Sequence, residues 1–414
     1  MSVRRSLVPV LLLLVAVPAG AQQSAPAPSP ATAPLTATWQ DGFIVQSADG
    51  DYRIQFGAVA QTDGRFSVDD PLPITNTFTI RKARPIISGR VGRYFDFRLM
   101  PDFGSGSPVV LDAYVDTRFS PAFRLRVGKD KTPVGYELLI GDANLLFPER
   151  TLASGLVPNR DVGFQAQGDL AGQRVSYSAG IFNGVPDGIT SSTDVDTNGG
   201  KDVAGRVVVQ PFRTAAPTAA GGLGFHVGGS AGKQRGPLPS YRTSIGQSYF
   251  AYATGATANG TRTRVAPAVF YYVGSFGAFG EYIRSTQHVA RAGVTREVSN
   301  EGWGVTASYL LTGEAASAGT IRPRRSFDPP TRQWGAVQLL ARYSQLEVDA
   351  DVFANGLAAA GASRKADAFT LGVNWYPTSF IKWYATYERT VFDGDADGPR
   401  PAENAVLFRA QLAF

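Results

Sequence analysis

The dominant pattern along the chain has period two. Tyr52, Ile54 and Phe56 alternate with Arg53 and Gln55; Phe95, Phe97 and Leu99 with Asp96 and Arg98; Phe123, Leu125 and Val127 with Arg124 and Arg126. Such alternation puts one kind of residue on each face of an extended strand. It returns at 174–177, 203–209, 303–311, 337–343, 369–375, 381–387 and 406–414, and no stretch carries a comparable helical stripe. About seventeen strand candidates result, the weakest at 223–227 and 249–252.

No run of 18 apolar residues occurs, which excludes a membrane-spanning helix after the amino terminus. Repeated amphipathic strands leave a soluble sandwich or barrel, or an outer-membrane barrel with lipid outside and water inside. The polar rows decide for the second. They carry Arg and Gln with scattered Asp, and aromatic residues crowd the strand ends, as in Asn374-Trp375-Tyr376 and Trp383-Tyr384, the composition of headgroup girdles. On the last strand Phe408, Ala410, Leu412 and Phe414 share one face and Arg409 and Gln411 the other. A terminal Phe on such a strand resembles the signal read by the bacterial barrel-assembly machinery, an expected partner through Phe414.

The amino terminus reads as a secretory signal: Arg4 and Arg5, an apolar run from Leu7 to Val17, then Ala19-Gly20-Ala21. Residues 1–21 are expected to be removed, 22–40 to form a Pro- and Ala-rich linker, and 41–414 to form one transmembrane barrel in the bacterial outer membrane. At strands of ~9 to 11 residues plus turns and loops, this length allows ~14 to 18 strands, in even number. The fold class is therefore all-β, an antiparallel up-and-down barrel wide enough for a water-filled channel.

Composition narrows the chemistry. With no cysteine and only His226 and His288 as histidines, disulfide, zinc-cysteine and thiol chemistry are excluded, and a histidine metal site or Ser-His-Asp triad lacks material. No enzyme, cofactor or metal site is expected. The runs beginning Asp194-Val195-Asp196 and Asp393-Gly394-Asp395 imitate a calcium loop, but position twelve is Gly205 in one and Asn404 in the other. Gly221-Gly222-Leu223-Gly224 lacks the helix that phosphate cradling needs. Of the 40 cationic side chains 33 are arginine, planar donors that grip oxyanions bidentately. For an exported barrel, nucleic acid is no expected partner; the Arg322-Pro323-Arg324-Arg325 run is expected to touch lipopolysaccharide phosphates.

An ordered set of segments carries a family resemblance over most of the chain: Arg81-Lys82-Ala83-Arg84, then 128–135 (GKDKTPVG), Phe147-Pro148-Glu149-Arg150, 156–163 (LVPNRDVG), Phe182-Asn183-Gly184, 202–206 (DVAGR), 310–314 (LLTGE), 340–344 (LARYS), 372–376 (GVNWY) and 408–412 (FRAQL). The set resembles the phosphate-selective porin O and P family of outer-membrane porins, with 128–163 like its constriction loop. The resemblance implies sixteen strands, an inward-folded constriction loop, a homotrimer, and passive passage of small anions such as phosphate. The phosphate-specific members carry a ladder of alternate arginines and a loop lysine; here Arg242 stands alone in the matching stretch and Ala143 takes the lysine-like place. A high-affinity phosphate site is therefore not expected.

Strand parity turns Arg53, Arg98, Arg124, Arg126, Arg174, Arg206, Arg342 and Arg409 to the lumen, with Asp96, Asp112, Asp116 and Glu388. Arg81 is the lumenal candidate of its segment, because Lys82 and Arg84 share parity with Phe78 and Ile80 unless a bulge near Pro85 shifts the register. The long apolar loop after Val127 would carry Lys129, Lys131, Arg150 and Arg160 towards the narrowest section. Arg242, Arg262, Arg264 and Arg284 are further cations of less certain register. Two roles stay open for all of them: contact with permeating anions, or pairing with lumenal carboxylates. The alternatives to an anion-preferring porin are a general diffusion porin and an adhesin or structural barrel.

Overall fold

The computed structural model describes residues 34–68, 75–106, 108–188, 199–214, 218–394 and 398–414. The signal-like segment, the linker as far as residue 33 and the central residues of both Asp-rich runs lie outside these. The chain opens with a hairpin of β1 (Leu35–Trp39) and β2 (Phe43–Ser47), so folded structure begins inside the stretch assigned to a linker. Nine barrel strands follow: β3 (Tyr52–Ser67), β4 (Thr77–Val91), β5 (Phe95–Asp102), β6 (Val109–Ser120), β7 (Phe123–Lys131), β8 (Arg160–Leu170), β9 (Val175–Phe182), β10 (Asp202–Val209) and β11 (Leu223–Gly236). β12 (Tyr241–Arg242) and β13 (Ser248–Phe250) pair only with each other. Seven more strands complete the wall: β14 (Thr257–Val273), β15 (Phe276–Arg291), β16 (Val294–Leu310), β17 (Ala336–Glu347), β18 (Lys365–Tyr376), β19 (Ile381–Asp393) and β20 (Glu403–Ala413).

The result is a closed antiparallel barrel of 16 strands. The seam joins β20 to β3, from Ala405 opposite Ser67 to Ala413 opposite Val59. Beyond the chain end β2 takes over the edge of β3, Phe43 to Gln46 lying opposite Phe56 to Arg53, so no bare strand edge remains at the seam. The two weak strand candidates separate here: Leu223 opens a barrel strand, whereas Tyr249 and Phe250 lie in an in-folded loop, which removes the odd strand.

The polarity is that of a membrane barrel turned inside out. Along β19, Trp383, Tyr387 and Val391 point outward and are exposed, while Lys382, Tyr384, Thr386 and Glu388 point inward and are buried. Register shifts at one place alter the expected facing. Between Gln61 and Thr62 of β3, β4 carries an extra residue, Arg81; this bulge leaves Phe78 and Ile80 outward and turns Lys82 and Arg84, as well as Arg81, to the lumen. The expectation for Lys82 and Arg84 is thereby overturned, and the irregularity sits at Arg81 rather than at Pro85.

Leu35, Phe414 and the short connections 92–94, 121–122, 171–174, 274–275 and 377–380 lie at one end, the periplasmic end in this class of barrel. The segment 311–335 also belongs to it: Ala316 N–H donates to Gly274 O at 2.8 Å, and Arg322 pairs with Asp41 of the hairpin turn. The basic run therefore does not face the lipopolysaccharide leaflet, a correction to the reading from sequence. From the opposite end two loops fold into the barrel, 132–159 and 237–256. Val134, Leu138, Leu156 and Val157 of the first pack with Tyr241, Tyr249 and Phe250 of the second, and with Val352 of the short helix α2 (Ala350–Ala354).

Candidate channel constriction

Loop 132–159 crosses the lumen from β7 and β8 to the wall made by β17–β20 and β3. Its root lies hard against β11, where a Cβ on Gly228 would stand 2.0 Å from Val134 O; glycine is what admits this approach. A single helical turn, α1 (Tyr136–Leu139), leaves amide groups without intrahelical partners. Glu281 of β15 accepts them, from Tyr136 N at 2.6 Å and Glu137 N at 3.1 Å. Glu137 in turn accepts from Thr151 N and Oγ1 and from Ser154 Oγ, at 2.6–3.0 Å.

An irregular loop inside a barrel must find donors for its carbonyls, and here the wall supplies them. Lys382 Nζ donates to Leu145 O at 2.6 Å, Asn374 Nδ2 to Leu146 O at 2.8 Å and Gln411 Nε2 to Ala143 O at 2.9 Å. Arg409 Nη1 reaches Pro148 O at 2.6 Å and Arg342 Nη1 reaches Glu149 O at 2.7 Å. At the near side Lys131 Nζ donates to Leu138 O and Ile140 O at 2.6 and 2.8 Å. Several lumenal cations thus act first as donors that hold the loop across the pore.

Two loop carboxylates gather the rest. Asp142 meets Arg150 at 2.6 Å, Lys82 at 3.4 Å, and Arg84. Glu149 meets Arg81 at 3.0 Å, Arg409 at 3.8 Å, and Arg65. Burial pushes both carboxyls up, but the encircling cations, Lys82 first at Asp142 and Arg81 first at Glu149, hold both below the usual carboxylate range. Both are therefore ionised at neutral pH.

The remaining expected residues fall into distinct environments. Arg98 and Arg160 share Asp112 at 3.1 and 2.7 Å, Arg126 forks onto Asp116 at 2.7 Å with its guanidinium over the Tyr114 ring, and Arg124 stands 3.8 Å from Asp169. Arg150 also reaches Ile140 O at 3.0 Å, so it braces the loop internally. Arg342 pairs with Glu388 at 3.0 Å and lies over Phe147. Lys129 is buried and pairs in the ladder with Ala113 and Val162. Arg242 is exposed on β12. Arg262 and Arg264 are buried and inward: Arg264 pairs with Asp187 and Asp202 at 2.6 and 3.0 Å, and Arg262 donates to Val185 O at 3.2 Å. Arg284 points outward beside Glu301. Among the described residues, Arg206, Lys131 and Lys382 have no carboxylate within 4 Å.

Below the loop a cavity of about 510 Å³ opens towards the short-turn end, lined by Arg84, Arg98, Arg126, Lys131, Arg160 and Lys382 among others. Lys82, Arg84 and Lys382 were missed from sequence. Alternation at 381–387 was signal enough to turn Lys382 inward, whereas nothing in the sequence located the bulge that turns the other two.

A family model described as "Phosphate-selective porin O and P" matches residues 54–414. The chain belongs to that family. A curated relative, Porin O of Pseudomonas aeruginosa, is 29% identical over 134 residues, a match spanning 30% of this chain and 30% of that protein. Among solved structures, the outer-membrane channel DcaP of Acinetobacter baumannii aligns with a TM-score of 0.58 at 13% identity, covering 89% of this chain and 99% of that one. The anion-selective porin of Comamonas acidovorans aligns at 0.55 and 12% identity, covering 87% and 99%. These likenesses establish a shared fold, and family membership makes this porin an outer-membrane protein.

Proposed function

We propose that this porin passes small anions by diffusion and has only a weak site for phosphate, with the homotrimer as its working form. The observation that carries the reading is an imbalance of pairing at the constriction. Most lumenal arginines neutralise a neighbouring carboxylate, which builds a strong local field with little net charge. Lys131, Lys382 and Arg206 have no carboxylate within 4 Å among the described residues, so the cations of the lumen outnumber their partners, and that excess biases the aqueous path. A deep phosphate well needs several donors converging on one oxyanion. Here most of the donors are already engaged by Asp112, Asp142, Glu149 and loop carbonyls, which leaves too few to converge on one phosphate.

Reversal potentials in a salt gradient test the reading. An anionic sign is expected at neutral pH, with phosphate blocking chloride current only at high concentration. A cationic sign overturns it, and half-block by micromolar phosphate overturns the weak-site part. The closeness of the family to channels, and the absence of a triad in the sequence, support the reading of this protein as a channel rather than an enzyme.

A further inference from the structure

The chamber beneath loop 132–159 has a floor. Segment 311–335 turns up under the lumen, where Ile321 is buried with Leu310, Ala316, Ala336 and Tyr376. Thr320 Oγ1 stands 3.3 Å from Asn144 Oδ1 at the tip of the constriction loop, and Arg322 ties the segment to the hairpin turn at Asp41. Solute leaving the constriction therefore enters a compartment bounded above and below.

The walls of this compartment are mixed: Arg84, Arg98, Arg126 and Arg160 line it together with Asp112, Asp130 and Asp142, and lysine and apolar side chains make up much of the rest. Lys131 and Lys382 border it, each without a carboxylate within 4 Å among the described residues, and Lys382 lies over the Tyr376 and Tyr384 rings. Met100, Leu139, Leu146, Ile321 and Phe380 also line it, side chains that offer an inorganic oxyanion nothing. A site for phosphate alone would be lined by donors throughout. A cavity of about 510 Å³ lined by both ionic and apolar side chains has the size and the combination of anchoring groups and apolar surface of a small-molecule site.

We propose that this chamber binds small organic anions, a carboxylate or similar head on an aromatic ring or short hydrocarbon body, with the head at the Lys131 and Lys382 side and the body against Ile321, Phe380 and Leu139. The assignment rests on the anion-channel reading and adds the class of solute that the channel retains. Burying a methylene strengthens binding on the order of fourfold, so affinity should climb with chain length even though the charge stays the same.

The experiment uses the full-length protein in planar bilayers, with acetate, butyrate, hexanoate, benzoate and inorganic phosphate each titrated against chloride current from the short-turn side. Half-block by hexanoate and benzoate is expected at least tenfold below acetate and phosphate, and Ile321→Asn or Phe380→Ser should narrow the benzoate-to-acetate ratio at least threefold. The carboxylate series needs no variant and stands if a substitution fails to fold. Equal half-block along the series, in a channel whose reversal potential is anionic, overturns the organic-anion site while leaving the anion channel standing; a cationic reversal potential overturns the channel reading itself.

Discussion

Loop 132–159 and segment 311–335 both enter the lumen, one from each end, and they are held by different means. The loop is fastened by buried wall donors at the carbonyls of Ala143, Leu145, Leu146, Pro148 and Glu149, and its Asp142 and Glu149 are each surrounded by cations. The segment is fastened by a small apolar cluster around Ile321, backbone hydrogen bonds to the turns at Gly274 and Pro377, one hydrogen bond to Asn144 and an ion pair whose partners are 62% and 47% exposed. Exposed pairs contribute ~0–1 kcal/mol and are screened by salt, whereas breaking a buried pair costs ~3–5 kcal/mol. A constriction must keep its geometry against the flux through it; a floor beneath it tolerates loose fastening.

The sharpest way to break the contrast is Asp142→Asn. It leaves Lys82, Arg84 and Arg150 facing one another without their shared carboxylate, and a loss of about 3–5 kcal/mol is expected, read as a lowered unfolding temperature and noisy single-channel currents. Deleting Phe414 comes next. Its backbone closes the seam with Ala58 at 2.9 and 3.1 Å, and its ring lies 5.4 Å from Trp39, so a several-fold fall in heat-modifiable barrel in the outer membrane is expected; unchanged yield would remove this role for the terminus.

The floor can be tied down instead. Because the chain has no cysteine, Thr320→Cys with Asn144→Cys gives one engineered disulfide, and oxidation should lower conductance in a way that reductant reverses. The corresponding clamp within the already rigid loop should change nothing measurable.

Acid separates the regions further. The ionised forms of Asp142 and Glu149 are favoured by folding, so their contribution is fully present above the ordinary carboxyl values of 3.8 and 4.5 and fades only as pH falls through their depressed folded values. Conductance and anion selectivity should therefore hold steady from neutral pH down to about 4 and change only below it. The smallest effect belongs to Arg322→Ala, expected to shift stability by no more than about 0.5 kcal/mol, with any change in conductance vanishing at high salt.

Much of the fold was legible in the chain because a barrel strand has to satisfy lipid on one side and water on the other. Alternation along 381–387 and 406–414 alone assigns Trp383 outward and Arg409 inward, as the structure has them. It failed at Arg81–Arg84, since a single inserted residue flips every side chain beyond it and costs the sequence no visible change in composition. It failed also at Tyr249, where a short apolar stretch packs as tightly in a loop as it would in a strand.

By itself, then, the order of residues determined which rows meet lipid, that the wall is a barrel and that arginine would dominate the lumen, because those depend on neighbours two apart. Which cations would be neutralised and which left over was decided by the closed fold. Arg409 and its partner Asp63 stand 346 residues apart in the chain, and Asp142 reaches Lys82 only because the loop crosses the pore. Ion pairs act over a few ångströms of space, and distance along the chain carries no record of them.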